Sequence, residues 1–557
     1  MVQGYKKEVL MEFMRRTITQ IGLVLILVFA SVGSAHAATN AYDAKYVTSI
    51  SYMNVGSVDA NLNLTFYNAD STCVTACTVN YQVLDTDGSA RVIPSMASAS
   101  LAVSTVGDLS STQKYGAVVT SNQPLIATIM QVANDSIIGT KPISSGFLST
   151  DASSTIVLPS VMKSCFTDDL TTRFSVQNAS ASTLTDVELK LIWPNGDEVT
   201  PTTTLASLAP GDAQYFDMAT VSVGSAPAGV TLPTGCGFNG SAIISSATGS
   251  LVATAVELSN VNKYGNSFEG LPGSATDGAL TLYMPSAMCR VNYGDGEQST
   301  SYAIQNLTSS TANIDVAFRY QIRSSTGALG AVQTRTLSLA IPAKSKGSVP
   351  GCDTSKNTVG NTNTATGNAM PAAAVGSAII TSDKKIVGLQ KVSGGGISSA
   401  TPAIIAGGST VYTPFVRYSV NCFSARPTAA TCRDESRQRT LFAIQNIGGV
   451  AAKIKMTLYN YKGEIVGTYI TPSTVAAGDK ISLIPTQATL AAGHVAAELN
   501  EFGYTYVSGN VIYSGSAVFQ SLDTAGTTAT STIAVVARVL SMSPLGQTGD
   551  DYNGTPQ

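Results

Sequence analysis

The chain has 557 residues, and only 12% of them are charged. Lys and Arg number 32 against 35 Asp and Glu, a formal charge of −3 spread thinly along the sequence, which excludes the basic patch that a nucleic-acid partner demands. Gly, Ser, Thr, Ala and Asn stand where charges usually would; this suits a sheet-rich exterior protein, and the length calls for several hydrophobic cores.

Residues 1–37 read as a secretory signal peptide. Lys6, Lys7, Arg15 and Arg16 form the basic stretch, Ile21 to Ala30 the apolar run, and Ala35-His36-Ala37 the small-residue cleavage site. Cleavage is expected between Ala37 and Ala38. The mature chain would carry 28 basic and 33 acidic residues, a charge of −5, and would be secreted to the cell surface or beyond. No later apolar run is long enough to span a bilayer.

Self-similarity then sets the architecture. The phrase FSVQN (Phe174 to Asn178) recurs as YAIQN (Tyr302 to Asn306) and FAIQN (Phe442 to Asn446), with LTFYN ending at Asn68 as a weaker relative. Each alternates apolar and polar residues, the pattern of a strand with one buried face, and ends in a turn-forming Asn. A second alternating strand follows. Then comes a turn at Gly88, Gly196, Gly327 or Gly463, lying 20, 18, 21 and 17 residues beyond the respective Asn. A Gly so placed signals a hairpin. A later block, GAVVTSNQPLIATIMQVAN from Gly116, GSAIISSATGSLVATAVELSN from Gly240 and GSAIITSDKKIVGLQKVSG from Gly376, reads as two apolar strands forming another hairpin.

These blocks divide the chain into units 41–153, 154–275, 276–408 and 409–557, joined by Gly-, Ser- and Pro-rich stretches. Short strands without amphipathic helices predict an all-β fold of tandem Greek-key, immunoglobulin-like β-sandwiches. The segment from Ser543 onward reads as a mobile tail. The eight cysteines fall in pairs, and an even count in an exported chain predicts disulfides. LPSVMKSC matches MPSAMC, and Cys236 and Cys352 each precede a GSAII strand. The repeat therefore pairs Cys165 with Cys236 and Cys289 with Cys352, leaving Cys73–Cys77 and Cys422–Cys432 as short loops.

The repeated AIQN phrase followed by the GSAII block is similar to repeats in large exported β-rich proteins of filamentous and thermophilic bacteria. That resemblance implies tandem immunoglobulin-like surface modules and no particular activity.

Residues for chemistry are sparse. His494 is the only histidine after residue 37; it sits in AAGHVAAELN and lacks the setting of a catalytic triad. Asp168, Asp169, Glu257 and Glu269 are the carboxylates considered for a glycosidase pair, with Asp168-Asp169 read as a turn. NYGDGEQS (Asn292 to Ser299) and LDTDGS (Leu84 to Ser89) lack EF-hand spacing and read as turns. No catalytic, cofactor or metal residue is therefore expected, and the chain is not expected to be an enzyme. Tyr412, Tyr418, Tyr459, Tyr461, Tyr504 and Tyr506 cluster in the last unit, where exposed aromatics suit glycans. The leading expectation is a structural protein of the cell surface or of an extracellular filament, sheath or surface layer. It would associate with itself or with cell-surface components, and the segment after cleavage, ATNAYDAKYVTSISYMNVG, is the candidate strand donor. The second expectation is a secreted adhesion or carbohydrate-binding protein.

Overall fold

The computed structural model describes residues 46–69, 77–84, 89–133, 142–201, 207–261, 264–293, 296–352, 366–419, 438–492, 512–543 and 546–556. The signal segment 1–37, Cys73, Cys422, Cys432, Gly88, His494, Tyr504 and Tyr506 lie outside them. The described residues form strands and three short 3-10 turns, with no α-helix; the fold is all-β, built of antiparallel sandwiches.

The second unit shows the plan. Leu170–Asn178 pairs with Ala213–Asp217 on one edge and Leu251–Ser259 on the other, and Gly265–Glu269 extends that layer. The opposite layer runs Glu198–Val199, Glu188–Ile192, Phe238–Ser245 and Thr155–Lys163. Alternation sends Phe174, Val176, Leu189, Leu191, Ile156 and Leu158 into the space between. There Trp193, 1% exposed, meets Phe238 edge-on at 4.7 Å between ring centres. Equivalent apolar clusters fill the first, third and fourth units.

Three strands recur by role. A leading strand opens the second, third and fourth units: Thr155–Lys163, Ala279–Cys289 and Thr410–Ser419. An Asn strand follows: Tyr46–Asn54, Leu170–Asn178, Glu297–Asn306 and Gln438–Asn446. An axial strand closes each unit: Ile143–Ser145, Gly265–Glu269, Ile397–Pro402 and Gly546–Asn553.

The repeated Asn does more than turn the chain. Asn178 Nδ2 donates to the Ser182 and Leu208 carbonyls at 2.8 and 2.9 Å, and its Oδ1 accepts from Ser180 N at 2.8 Å. Asn306 and Asn446 repeat this bracket. In the first unit its owner is Asn54, bonded to the Val58 and Ile93 carbonyls and to Gly56 N. The expectation for Asn68 is thus corrected. LTFYN is the second strand of its unit, Ala60–Asn68, and SISYMN is the true counterpart of FSVQN. Turn glycines Gly196, Gly327 and Gly463 have φ of 93°, 90° and 77°, as their hairpins require.

Two further expectations change. The paired strands of the GSAII block do not form a hairpin: Phe238–Ser245 and Leu251–Ser259 lie in opposite layers, each with other partners. In the third unit they fuse into one strand, Ala374–Gly394, which crosses between layers. Alternation reports which face is buried, not which neighbour a strand takes. The segment after Ser543 is not a tail either; Gly546–Asn553 pairs with Ile533–Ser543, and Tyr552 is fully buried.

The predicted disulfides Cys165–Cys236 and Cys289–Cys352 are present, with Cα atoms 4.1 and 4.9 Å apart. Each ties the end of a leading strand to the stretch ahead of its hydrogen-bonded neighbour. Cys77 is also disulfide-bonded.

The four units close on one another. The axial strands touch in a cycle, first to second, second to third, third to fourth and fourth to first. The turn after each second hairpin seats on the preceding unit: Gly211 against Tyr67, Ala343 against Gly196, and Gly478 against Arg319. Ser95, in the equivalent turn of the first unit, lies against Gly463 of the fourth. In this last contact Ser516 Oγ donates to the Met96 carbonyl at 3.2 Å.

Candidate functional site

The sequence-selected carboxylates do not converge. Glu257 is 2% exposed and spoken for: Lys391 Nζ lies 2.6 Å from its Oε1, and Ser160 Oγ donates to it at 2.7 Å. Glu269 sits opposite Thr254 in the neighbouring strand. Positions 254 and 257 differ by an odd number, so Glu257 and Glu269 project from opposite faces of the sheet and cannot share a substrate. Asp168 and Asp169 occupy the turn ahead of FSVQN, as expected; Asp169 has φ 49°, and Tyr264 Oη donates to Asp168 Oδ2 at 2.9 Å. Of the two acidic loops, residues 85–88 and 294–295 lie outside the described residues. Among the described residues no group of three or more His, Cys, Asp or Glu is placed to hold a metal ion.

The tyrosines of the last unit divide. Tyr412 is buried, Tyr459 packs against it in the same apolar cluster, and Tyr461 is exposed beneath the Lys462 ammonium. A shallow depression between Ser409, Gly448–Val450 and Ala529–Thr532 presents hydroxyls and backbone but no acid or base.

Ionisable chemistry gathers instead where the axial strands meet. Asp550, 1% exposed, accepts Ile143 N at 2.7 Å from the first unit and Ser267 N at 3.2 Å from the second. Beside it Asp551 holds Arg538 in a two-point pair, both contacts 2.7 Å, and accepts Ser399 Oγ of the third unit at 3.0 Å. Asn266 Nδ2 donates to Ser398 Oγ at 2.8 Å. One carboxylate pair thus stitches all four units.

Burial dominates the titration of this junction. It pushes the Asp550 carboxyl well above its ordinary range, with the neighbouring Asp551 charge adding to backbone-opposed desolvation. Glu269, whose carboxylate accepts from Ser145 N, is pushed up to about 7 by burial. Lys346 donates to Asn239 Oδ1 at 2.7 Å across the second and third units and is brought down to about 7, by burial first and Lys391 second. Each of these groups is held by a partner from a neighbouring unit.

Sequence reasoning missed Asp550, Asp551, Arg538 and Lys346. Reading the tail as mobile hid the first two. The available signal was chain order: three closing strands in three units predict a fourth, and Asp550-Asp551-Tyr552 is its sequence. Compared with known proteins, the chain matches no family and no curated sequence.

Proposed function

We propose that the chain is an exported structural protein of the cell surface, or of an extracellular filament, sheath or surface layer, made of immunoglobulin-like units. The observation that carries this reading is the closed cycle of four sandwiches. Ionisable groups that would serve chemistry in an enzyme are consumed here in holding units together. Breaking such a buried pair on one side costs about 3–5 kcal/mol. The two long disulfides add stability on the order of 4 kcal/mol each by chain entropy and fit an oxidising compartment. Faces covered by Ser, Thr and Asn keep such a body from binding charged polymers indiscriminately.

The test is direct. Cells are fractionated, the native protein is sequenced from its N-terminus, and the purified material is viewed by negative-stain microscopy. The reading expects an N-terminus at Ala38, a surface or extracellular fraction, and ordered arrays or filaments. A cytoplasmic, reduced protein beginning upstream of Ile21 would sink it.

A further inference from the structure

Among the described residues, the first unit shows one strand fewer than its three sisters. In the second, third and fourth units the leading strand pairs with the strand that opens the GSAII block: Ile156 and Leu158 face Ile244 and Ala242, Leu282 and Met284 face Ile380 and Ala378, and Val411 and Thr413 face Phe519 and Ala517. All six covered residues are fully buried. Their counterparts in the first unit lie on Tyr115–Ser121, where Val119 and Ala117 sit opposite Leu64 and Phe66. Both are only partly buried, and among the described residues no strand pairs with the far edge of Tyr115–Ser121.

That edge is competent to bond. Lys114 O accepts Ala69 N at 2.9 Å, so the even-numbered backbone groups face Ala60–Asn68 and those of Ala117, Val119 and Ser121 face outward. Tyr115 O also points outward, and there Tyr215 Oη of the second unit donates to it at 3.0 Å. The strand reads Tyr-Gly-Ala-Val-Val-Thr-Ser. It has no charge, no proline and no bulge, the usual guards of an open edge.

The mature chain has too little upstream sequence to fill the place. Leading strands begin 15, 18 and 28 residues ahead of the Asn strands they serve. Cleavage after Ala37 leaves only the eight residues 38–45 ahead of Tyr46. Nor can Tyr46–Asn54, within the segment expected as a donor, be lent out, because it lies in mid-sheet between Ser98–Ala102 and Leu125–Ala133; residues 38–45 of that segment lie outside the described residues.

We infer that the first unit receives an extended strand from another polypeptide, laid antiparallel along Tyr115–Ser121. The sister units state its chemistry: uncharged inward residues two apart, mostly branched and apolar, followed by a proline that bulges the strand, as at Pro159, Pro285 and Pro414. This is strand addition to a sheet edge, with main-chain bonds for affinity and side-chain places for choice. The inference rests on export with cleavage, as proposed above.

The probe is a peptide copying Ser154–Ser164, added to the chain 38–557. Expected are saturable binding by fluorescence anisotropy, a rise of several degrees in the unfolding temperature, and no response to a scrambled peptide. Val119→Lys should weaken binding at least tenfold, and Thr120→Lys, on the exposed face, should leave it unchanged. Register is read by disulfide trapping, which stays informative if Val119→Lys misfolds. Val119→Cys protein should capture the peptide carrying Ile156→Cys and not the one carrying Val157→Cys, since directly paired residues lie within disulfide reach. Absence of binding, capture in the wrong register, or a probe-free dimer through this edge would overturn the inference. N-terminal sequencing separates the two claims: a start at Ala38 without peptide binding defeats only the strand, whereas a start upstream of Ile21 defeats the cleavage it rests on.

Discussion

The first unit and the second are built to one plan, yet they are held together by different means. The second owns a leading strand, a long disulfide at that strand's end and a core sealed on both edges. The first has the same Asn bracket and the same axial strand, but its core is ringed by partly buried residues, among them Tyr81, Leu109, Tyr115, Ala117 and Val119. The difference is that the second unit's leading strand runs into one end of its long disulfide. Cys165 and Cys289 stand at the ends of leading strands, whereas the fourth unit keeps its leading strand, Thr410–Ser419, and has its cysteines at positions 422 and 432. The first unit also shows what the ring contributes. In three units the Gln before the Asn donates to the carbonyl of the following turn, as Gln177 does to Gly211 at 2.8 Å. Met53 stands there in the first unit, and Ser516 of the fourth supplies the bond to Met96 O instead. The least complete unit leans on its neighbours.

The largest effect that sharpens this contrast is removal of a long disulfide. Cys165→Ala with Cys236→Ala should destabilise the second unit by on the order of 4 kcal/mol. Hydrogen exchange followed by mass spectrometry should find the loss in residues 155–259, with Tyr46–Asn54 unchanged. Equal loss in the first unit would mean that the ring unfolds as one body. Next comes the bracket itself. Asn54→Ala deletes three bonds, two of them buried, and strands two carbonyls, costing about 3 kcal/mol, whereas Asn68→Ala, which removes no such bracket, should cost less. Urea melts of the two variants decide between them.

That second pair marks how far the sequence could be read. Fold class, turn glycines and both long disulfides were legible, because apolar alternation, φ > 0 and repeated cysteine context are local signals. Asn54 was not, because the first unit keeps the Asn but replaces Gln with Met53, while LTFYN imitates the phrase at a different strand. The arch between opposite layers was illegible for another reason: hairpin and arch share one alternation pattern and differ only in partners. The junction of Asp550, Asp551, Arg538 and Glu269 depends on which unit ends meet, information carried by the ring and not by any one unit.

Glu269 makes the junction between the first and second units sensitive to pH, with a sign that can be checked. Its folded value lies near 7, above the unfolded carboxylate. Between the two the folded state keeps a proton that the unfolded chain has released, so stability falls as pH rises from about 4.5 to 7. Burial is the first cause and the Asp151 charge adds to it. Glu269→Gln keeps an oxygen for Ser145 N and removes the penalty. It should gain about 2–3 kcal/mol at pH 8 and nothing at pH 4.5, read as the difference between melts at the two pH values. A gain that is the same at both would assign the effect to packing. Lys346 works in the reverse sense on the far side of the second unit. Its folded value is near 7, so the folded state holds fewer protons than the unfolded one above that value, and stability rises with pH from 7 toward 10.5.

The smallest effect tests whether the repeated turn is one object in four copies. Its third residue adopts φ of 62° at Met96, 81° at Gly211, 60° at Lys344 and 80° at Gly478. In each copy a neighbouring bond holds that residue in place, such as Lys344 N to Thr308 O at 3.0 Å. Glycine takes this conformation freely, whereas a side chain costs about 1–2 kcal/mol, offset in part by glycine's greater freedom when unfolded. Lys344→Gly should therefore stabilise the third unit by roughly 0.5–1 kcal/mol, seen as a few degrees in calorimetry. The mirror substitution must go the other way. A Cβ on Gly211 would fall 2.4 Å from the Tyr67 ring, so Gly211→Ala pays both the backbone cost and a clash against the first unit, and its loss should exceed the Lys344→Gly gain. If both substitutions shift stability in the same direction, the turns are not equivalent and the fourfold repeat stops at the strands.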